Sequence, residues 1–148
     1  MEIRQIKDIN GALPKIWEFD QDHQRINFPK DSPNYERFKE AILKEHQEEP
    51  EGFFFVYEND KIIGELFLKI RLNPFRRQKY GEVRIIHLDP DNRGKGYGKE
   101  LLEFADKYFK EKECNYLLAG VSAFNLSSSA LFEKCGYGVT RKILEKNY

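Results

Sequence analysis

The stretch Asp89-Pro90-Asp91-Asn92-Arg93-Gly94-Lys95-Gly96-Tyr97-Gly98-Lys99 sets three glycines at alternate positions among cationic side chains. A turn from a strand into a helix ordinarily needs one glycine, so the repetition asks for a further reason. The first N–H groups of a helix lack partners and sit at the positive end of its dipole, where they attract anions. Glycines there remove the Cβ atoms that would hold a phosphate at a distance, and Arg93 and Lys95 add charge beside it. The stretch therefore reads as a pyrophosphate cradle. Two common cradles do not fit. A dinucleotide fingerprint requires a glycine three places after Gly96, where Lys99 stands. A nucleotide P-loop requires Ser or Thr after Gly98-Lys99, where Glu100 stands, and Gly where Arg93 stands.

Outward from the cradle, Glu82 to Leu88 reads as a strand ended by Asp89-Pro90, and Leu101, Leu102, Ala105, Tyr108 and Phe109 recur at helical spacing, with Glu103 and Lys107 expected to pair on the wet face. Phe53 to Tyr57 and Ile62 to Leu68 flank the turn cluster Glu58-Asn59-Asp60-Lys61 and predict a hairpin. Tyr116 to Val121 reads as strand, Ser127 to Lys134 as helix stopped by Gly136, and Tyr137 to Glu145 as a last strand. Before residue 50, a short strand at Arg4 to Ile6 precedes a helix carrying Ala12, Leu13, Ile16 and Trp17. A second helix, signalled by Ser32-Pro33, carries Tyr35, Phe38, Ile42 and Leu43 and ends by Pro50. The order β-α-α-β-β-β-α-β-α-β predicts an α/β fold, a mixed, mainly antiparallel sheet flanked by helices with one βαβ crossover.

The 148 residues fit a single domain, 1–148, and the 40% hydrophobic fraction supplies a core despite 34% charged residues. Lys plus Arg and Asp plus Glu are 25 each, which disfavours a polycationic nucleic-acid binder. Charges at Glu2, Arg4, Lys7 and Asp8 leave no apolar signal segment, and the longest uncharged apolar run, Phe53 to Tyr57, cannot span a bilayer. Cys114 and Cys135 lack metal-ligand spacing, which predicts reduced thiols, a cytoplasmic location and no metal site.

The same residues resemble the GCN5-related N-acetyltransferase (GNAT) family. Its acetyl-CoA signature, Arg or Gln then x-x-Gly-x-Gly or Ala, is met by Arg93, Gly96 and Gly98, and Leu88-Asp89-Pro90 matches the strand end and proline before it. A second block is met by Asn125, Ala130, Phe132, Gly136 and Tyr137, and the likeness covers residues 53 to 140 in order and spacing. The resemblance implies the acyl-CoA N-acyltransferase fold, with acetyl-CoA as cosubstrate and direct attack by a primary amine, whether of a polyamine-like molecule, a Lys side chain or a protein N-terminus. It implies that the backbones of Ile86 and Leu88 hold the pantetheine arm, as an added strand would. Amides from Gly94 through Lys95, Gly96, Tyr97 and Gly98 to Lys99 would hold the pyrophosphate. Asn125 would fix the far end of the arm beside Phe132, in a slot between splayed fourth and fifth strands. Dimers are common in the family, although no residue here shows one.

Amine attack needs a base, and Glu82, six residues before Leu88, stands where histone-acetylating members carry their catalytic glutamate. Many members have Tyr as the acid where this chain has Phe132, and a phenyl ring donates no proton. Tyr97, Tyr116 and Tyr137 are alternatives, each read first as packing residues. His87 is expected on the strand face opposite Ile86 and Leu88, as a structural or substrate-lining side chain. Glu18, Asp20 and Asp22, placed between the first two helices, form an acidic rim suited to a cationic amine. Lys69, Arg71, Arg76, Arg77 and Lys79 gather at a hairpin tip. A non-catalytic acetyl-CoA or CoA sensor is the nearest competing function, and an RNA-associated binding protein the next.

Overall fold

The computed structural model describes residues Met1–Tyr148. Its sheet has the order β1-β2-β3-β4-β5, from β1 (Glu2–Gln5), β2 (Phe53–Glu58), β3 (Lys61–Asn73), β4 (Gln78–Leu88) and β5 (Tyr116–Ala119). Neighbours from β1 to β4 run antiparallel, whereas β5 joins β4 in parallel. That parallel step requires a crossover, supplied by α3 (Tyr97–Glu111). Helices α1 (Ile9–Asn27) and α2 (Tyr35–Glu48) precede the hairpin strands, and α4 (Leu126–Lys134) follows β5.

The unbroken apolar run Phe53-Phe54-Phe55-Val56 has a simple cause: both faces of β2 are covered. Phe53 and Phe55 join Phe67 and the α1 and α2 residues Leu13, Ile16, Phe19, Phe38 and Ile42. Phe54 and Val56 face the other way, to Leu66, Leu68, Val83 and the α3 residues Leu101, Leu102, Ala105 and Phe109. Phe109 is fully buried, so truncating it to Ala would cost about 3–5 kcal/mol.

The structure revises several expectations. The first helix runs to Asn27, because Phe19 continues the buried stripe of Ile16, and this places Glu18, Asp20 and Asp22 inside α1 rather than after it. Asn34, whose side chain accepts from the Arg37 N–H, caps α2, leaving Ser32-Pro33 outside. Glu103 pairs with Lys99 at 3.7 Å, while Lys107 lies 4.0 Å from Glu111. The strand expected over Tyr137 to Glu145 does not form, and residues 138–148 carry no regular structure. A strand needs a hydrogen-bonding partner, and the outer edge of β5 pairs with none. In that segment Arg141 falls between Val139 and Ile143 on what would be one face, and both apolar side chains stay more than nine-tenths exposed. No helix is long and apolar enough to cross a membrane, no group of three or more His, Cys, Asp and Glu is placed to hold a metal ion, and both cysteines are free.

Candidate active site

The site begins with a miscount between strands. Leu68 pairs with Val83 but Phe67 with Ile85, so Arg84 is an extra residue, a bulge in β4. β5 pairs with β4 only over Tyr80 to Val83 and stops at that bulge. From Arg84 to Leu88 the β4 edge has no strand beside it, and this open edge leads through the turn Pro90–Asn92 into α3.

Gly94 and Gly96 have φ of 75° and 85°, a region in which side-chain-bearing residues are strained, and a Cβ on either would meet only open space. Gly98 serves differently: its Cβ would stand 2.8 Å from Leu131 Cδ2, so it lets α3 approach α4. Asp8, Asn34 and Asn125 cap α1, α2 and α4 with side-chain oxygens, whereas α3 has Gly96 at that position and no side-chain cap. Its first N–H groups are thus left to an external acceptor, beside space that glycine keeps clear. The residues present fit a phosphate group.

The cationic side chains of the loop already have partners. Arg93 donates to the Leu88 carbonyl at 2.9 Å and to Asp22 at 3.0 Å. Lys95 stands 3.6 Å from Glu58, which also accepts from the Tyr97 hydroxyl and, at 3.0 Å, from Asn92. The bond to Tyr97 holds the Glu58 carboxyl below its ordinary range and pushes the phenol up.

The open edge separates side chains as expected. Ile86 and Leu88 pack toward α3 and Ile85 toward α1 and α2, while His87 is buried against Phe19 at a ring distance of 5.0 Å. Burial lowers the His87 pKa to about 4, with Asp22 at 3.4 Å opposing the shift. Facing His87 in register is Glu65, whose carboxylate is fully buried with no hydrogen-bond partner on either oxygen. Burial, reinforced by Asp20, pushes its pKa well above the usual carboxylate range. Neither Glu58 nor Glu65 stands out in the sequence, since only the packing of β2 and β3 gives them their neighbours.

Glu82 pairs in register with Leu118, before the strands part, and its carboxylate is bound by Arg71, with Arg84 at 3.9 Å. Arg84 also reaches Glu45 of α2 at 2.9 Å and lines a cleft of about 380 Å³ between α1, α2 and the bulge, with Asp20, Phe28, Asp31 and Arg37. Of the expected acidic rim, Asp20 alone lines this cleft; Glu18 pairs with Lys15, and Asp22 with Arg25 and Arg93. Burial raises the pKa of Asp20.

Other expected site residues have these partners within the chain. Asn125 caps α4 and reaches Asn27 at 3.5 Å. Phe132 is buried in the α3-side core with its ring 5.0 Å from that of Tyr137, whose own burial raises its phenol to about 12. Tyr116 stacks on Tyr80 and accepts from Asn73. The basic hairpin is largely paired off, Lys69 with Glu48, Arg71 with Glu82, and Arg76 over the Tyr116 ring.

A model of the acetyltransferase (GNAT) family matches residues 13–137. A mycothiol acetyltransferase of Renibacterium salmoninarum is 30% identical over 98 residues, 66% of this chain and 29% of that protein; the chain thus spans less than a third of that relative's length. Among solved structures, a "possible acetyltransferase" from Clostridium difficile 630 superposes with a TM-score of 0.79 at 15% identity, covering 99% of this chain and 97% of that one. An aminoglycoside antibiotic 6'-N-acetyltransferase from Acinetobacter haemolyticus does so with a TM-score of 0.73 at 19% identity, covering 100% and 98%.

Proposed function

Since the chain belongs to the acetyltransferase (GNAT) family, we propose that it transfers an acetyl group from acetyl-CoA to a primary amine by direct attack in a ternary complex. The observation that carries this reading is the open β4 edge from Arg84 to Leu88, which runs into the uncapped N-terminus of α3. The edge offers backbone groups to the amides of a pantetheine arm, as it would to an incoming strand. The N–H groups at Gly96 to Lys99 receive the pyrophosphate, with Lys95 supplying charge from the 45%-exposed rim.

The acceptor enters the cleft between α1, α2 and the bulge, where Asp20 and Asp31 favour a cation and Glu45 is paired with Arg84. Glu82 takes the proton that the ammonium must lose before it can attack, and Arg71 holds the carboxylate in place. Of the three candidate tyrosines, Tyr97 donates to Glu58, Tyr116 accepts from Asn73, and the Tyr137 hydroxyl is buried without a partner, and none is assigned as the acid. The departing CoA thiolate is a tolerable leaving group near neutral pH and takes its proton from water.

Release of CoA thiol in the presence of a panel of polyamines, lysine peptides and free N-terminal peptides tests the reading. Turnover with any of them supports it, and CoA binding without thiol release for every amine assigns a CoA-binding module instead. Glu82→Gln should lower kcat about 100-fold with little change in the KM for acetyl-CoA. The loss should be greatest at low pH, where the acceptor arrives fully protonated. An unchanged kcat removes Glu82 from the base role.

A further inference from the structure

We propose that Glu58, at the end of β2, is the positioning residue for the phosphate loop, an inference that rests on the acetyl-CoA reading above. Its one carboxylate holds three points of the loop: Asn92 Nδ2 at 3.0 Å, the Tyr97 hydroxyl, and Lys95 Nζ at 3.6 Å. Those points bracket Gly94 and Gly96, the two residues whose positive φ makes the loop's shape and whose missing Cβ atoms leave it without side-chain packing. Between Asn92 and the first helical bond, Glu100 N–H to Gly96 O, the backbone is held by a single hydrogen bond, Arg93 N–H to Pro90 O at 3.2 Å. Glycine loses more freedom on ordering than any other residue, so a loop built this way depends on outside restraint. Arg93, tied to Asp22 and to the Leu88 carbonyl, anchors one end. Glu58 anchors the middle and the entry to α3.

A carboxylate beside an anion site also repels the anion, and the two effects oppose each other. The repulsion is offset by Lys95, 3.6 Å from the carboxylate, and weakened by the surrounding water. The hydrogen bonds, by contrast, set where the loop N–H groups point, which cofactor binding would otherwise have to impose at a cost in affinity. Glu58 therefore favours binding on balance. Its charge also keeps Lys95 folded back near Tyr97, 5.9 Å from that ring, until a phosphate competes for it.

The test compares binding and two donors. By calorimetry, Glu58→Ala should bind CoA about tenfold more weakly, with the KM for acetyl-CoA rising in parallel and kcat at saturation within twofold of wild type. With acetyl-pantetheine, which has no phosphates, kcat/KM should be unchanged. Tyr97→Phe should weaken CoA binding about threefold, and combined with Glu58→Ala it should add nothing, because the hydroxyl acts through the carboxylate. This second variant keeps the test decisive should Glu58→Ala fold poorly. Undiminished CoA binding by the variants, equal losses with both donors, or fully additive single losses overturn the role of Glu58. Absence of CoA binding by the wild-type chain instead overturns the transferase reading on which it rests.

Discussion

Gly96→Val is expected to bind CoA at least about 100-fold more weakly than wild type, a loss equivalent to two charge-assisted hydrogen bonds of roughly 1.5–3 kcal/mol each. The space above Gly96 is empty of protein, so the lost binding would not come from a clash within the chain. It would come from carbon atoms standing where an anion must approach to meet backbone N–H groups, and from pushing a branched residue out of φ 85°. The backbone strain should cost about 1–3 kcal/mol. At about 2–4 °C per kcal/mol for a domain of this size, Tm should fall by about 2–12 °C. Gly98→Ala separates the two roles of the glycines: its Cβ meets Leu131 and not the open space, so stability should fall while CoA binding changes little. Retained CoA affinity in Gly96→Val contradicts the cradle.

Glu65→Met should raise Tm at pH 8 by several degrees and do less at pH 4.5. The wild-type carboxyl is fully buried without a partner, and leaving a buried polar group unpaired costs about 1–3 kcal/mol, which an apolar side chain of similar shape recovers. Its folded-state pKa lies well above the ordinary 4.5, so the unfolded chain releases this proton first as pH rises. Glu65 therefore costs nothing in ionisation below pH 4.5 and progressively destabilises the fold above it. Asp20, whose charge raises the Glu65 pKa, and Lys15, which opposes it, are the other charged groups acting on the carboxyl.

His87 has the opposite slope. Burial lowers its pKa from 6.5 to about 4 on folding, against Asp22 and with Arg93, His23 and Lys15 assisting, so stability is full above pH 6.5 and declines as pH drops through that window. At about 1.4 kcal/mol per pH unit, the decline reaches roughly 3 kcal/mol near pH 4. Thermal melts of wild type and Glu65→Met across pH 4 to 8 check both limbs. A gain for Glu65→Met that is largest at acid pH contradicts the raised pKa, and a Glu65→Met stability that does not fall between pH 6.5 and 4, with the opposing Glu65 slope removed, contradicts the lowered one for His87.

The elements from Phe53 to Lys134 were legible because each carries a local cause: a two-sided apolar run in β2, a 3–4 spacing in α3, and proline or glycine at the ends. The glycine turn into α3 was legible for the same reason, since Gly94, Gly96 and Gly98 stand at alternate positions of one short stretch. The second half of α1 was harder to read because charged residues on its wet face crowd around Phe19. The last strand was misjudged because edge pairing is a tertiary decision that Val139 and Ile143 cannot make alone. Glu58 and Glu65 acquire their meaning only when β2 and β3 bring them against the loop and against His87, and nothing in their immediate neighbours announces that. Glu82 was singled out by the family resemblance, which does not reveal Arg71 across the hairpin.

The extra residue in β4 works as a change of phase. A regularly paired strand alternates its side chains, so Val83 and Ile85 would look the same way if Arg84 were an ordinary member of the ladder. With the bulge, Val83, Ile86 and Leu88 all face α3, while Ile85 and His87 turn to α1 and α2. Pairing Arg84 as an ordinary member of the ladder, with no bulge, would send His87 toward α3 in place of Ile86 and Leu88, whereas deleting it would keep the present frame. One inserted amino acid thus lets a single strand write two frames, one read by each layer of helices.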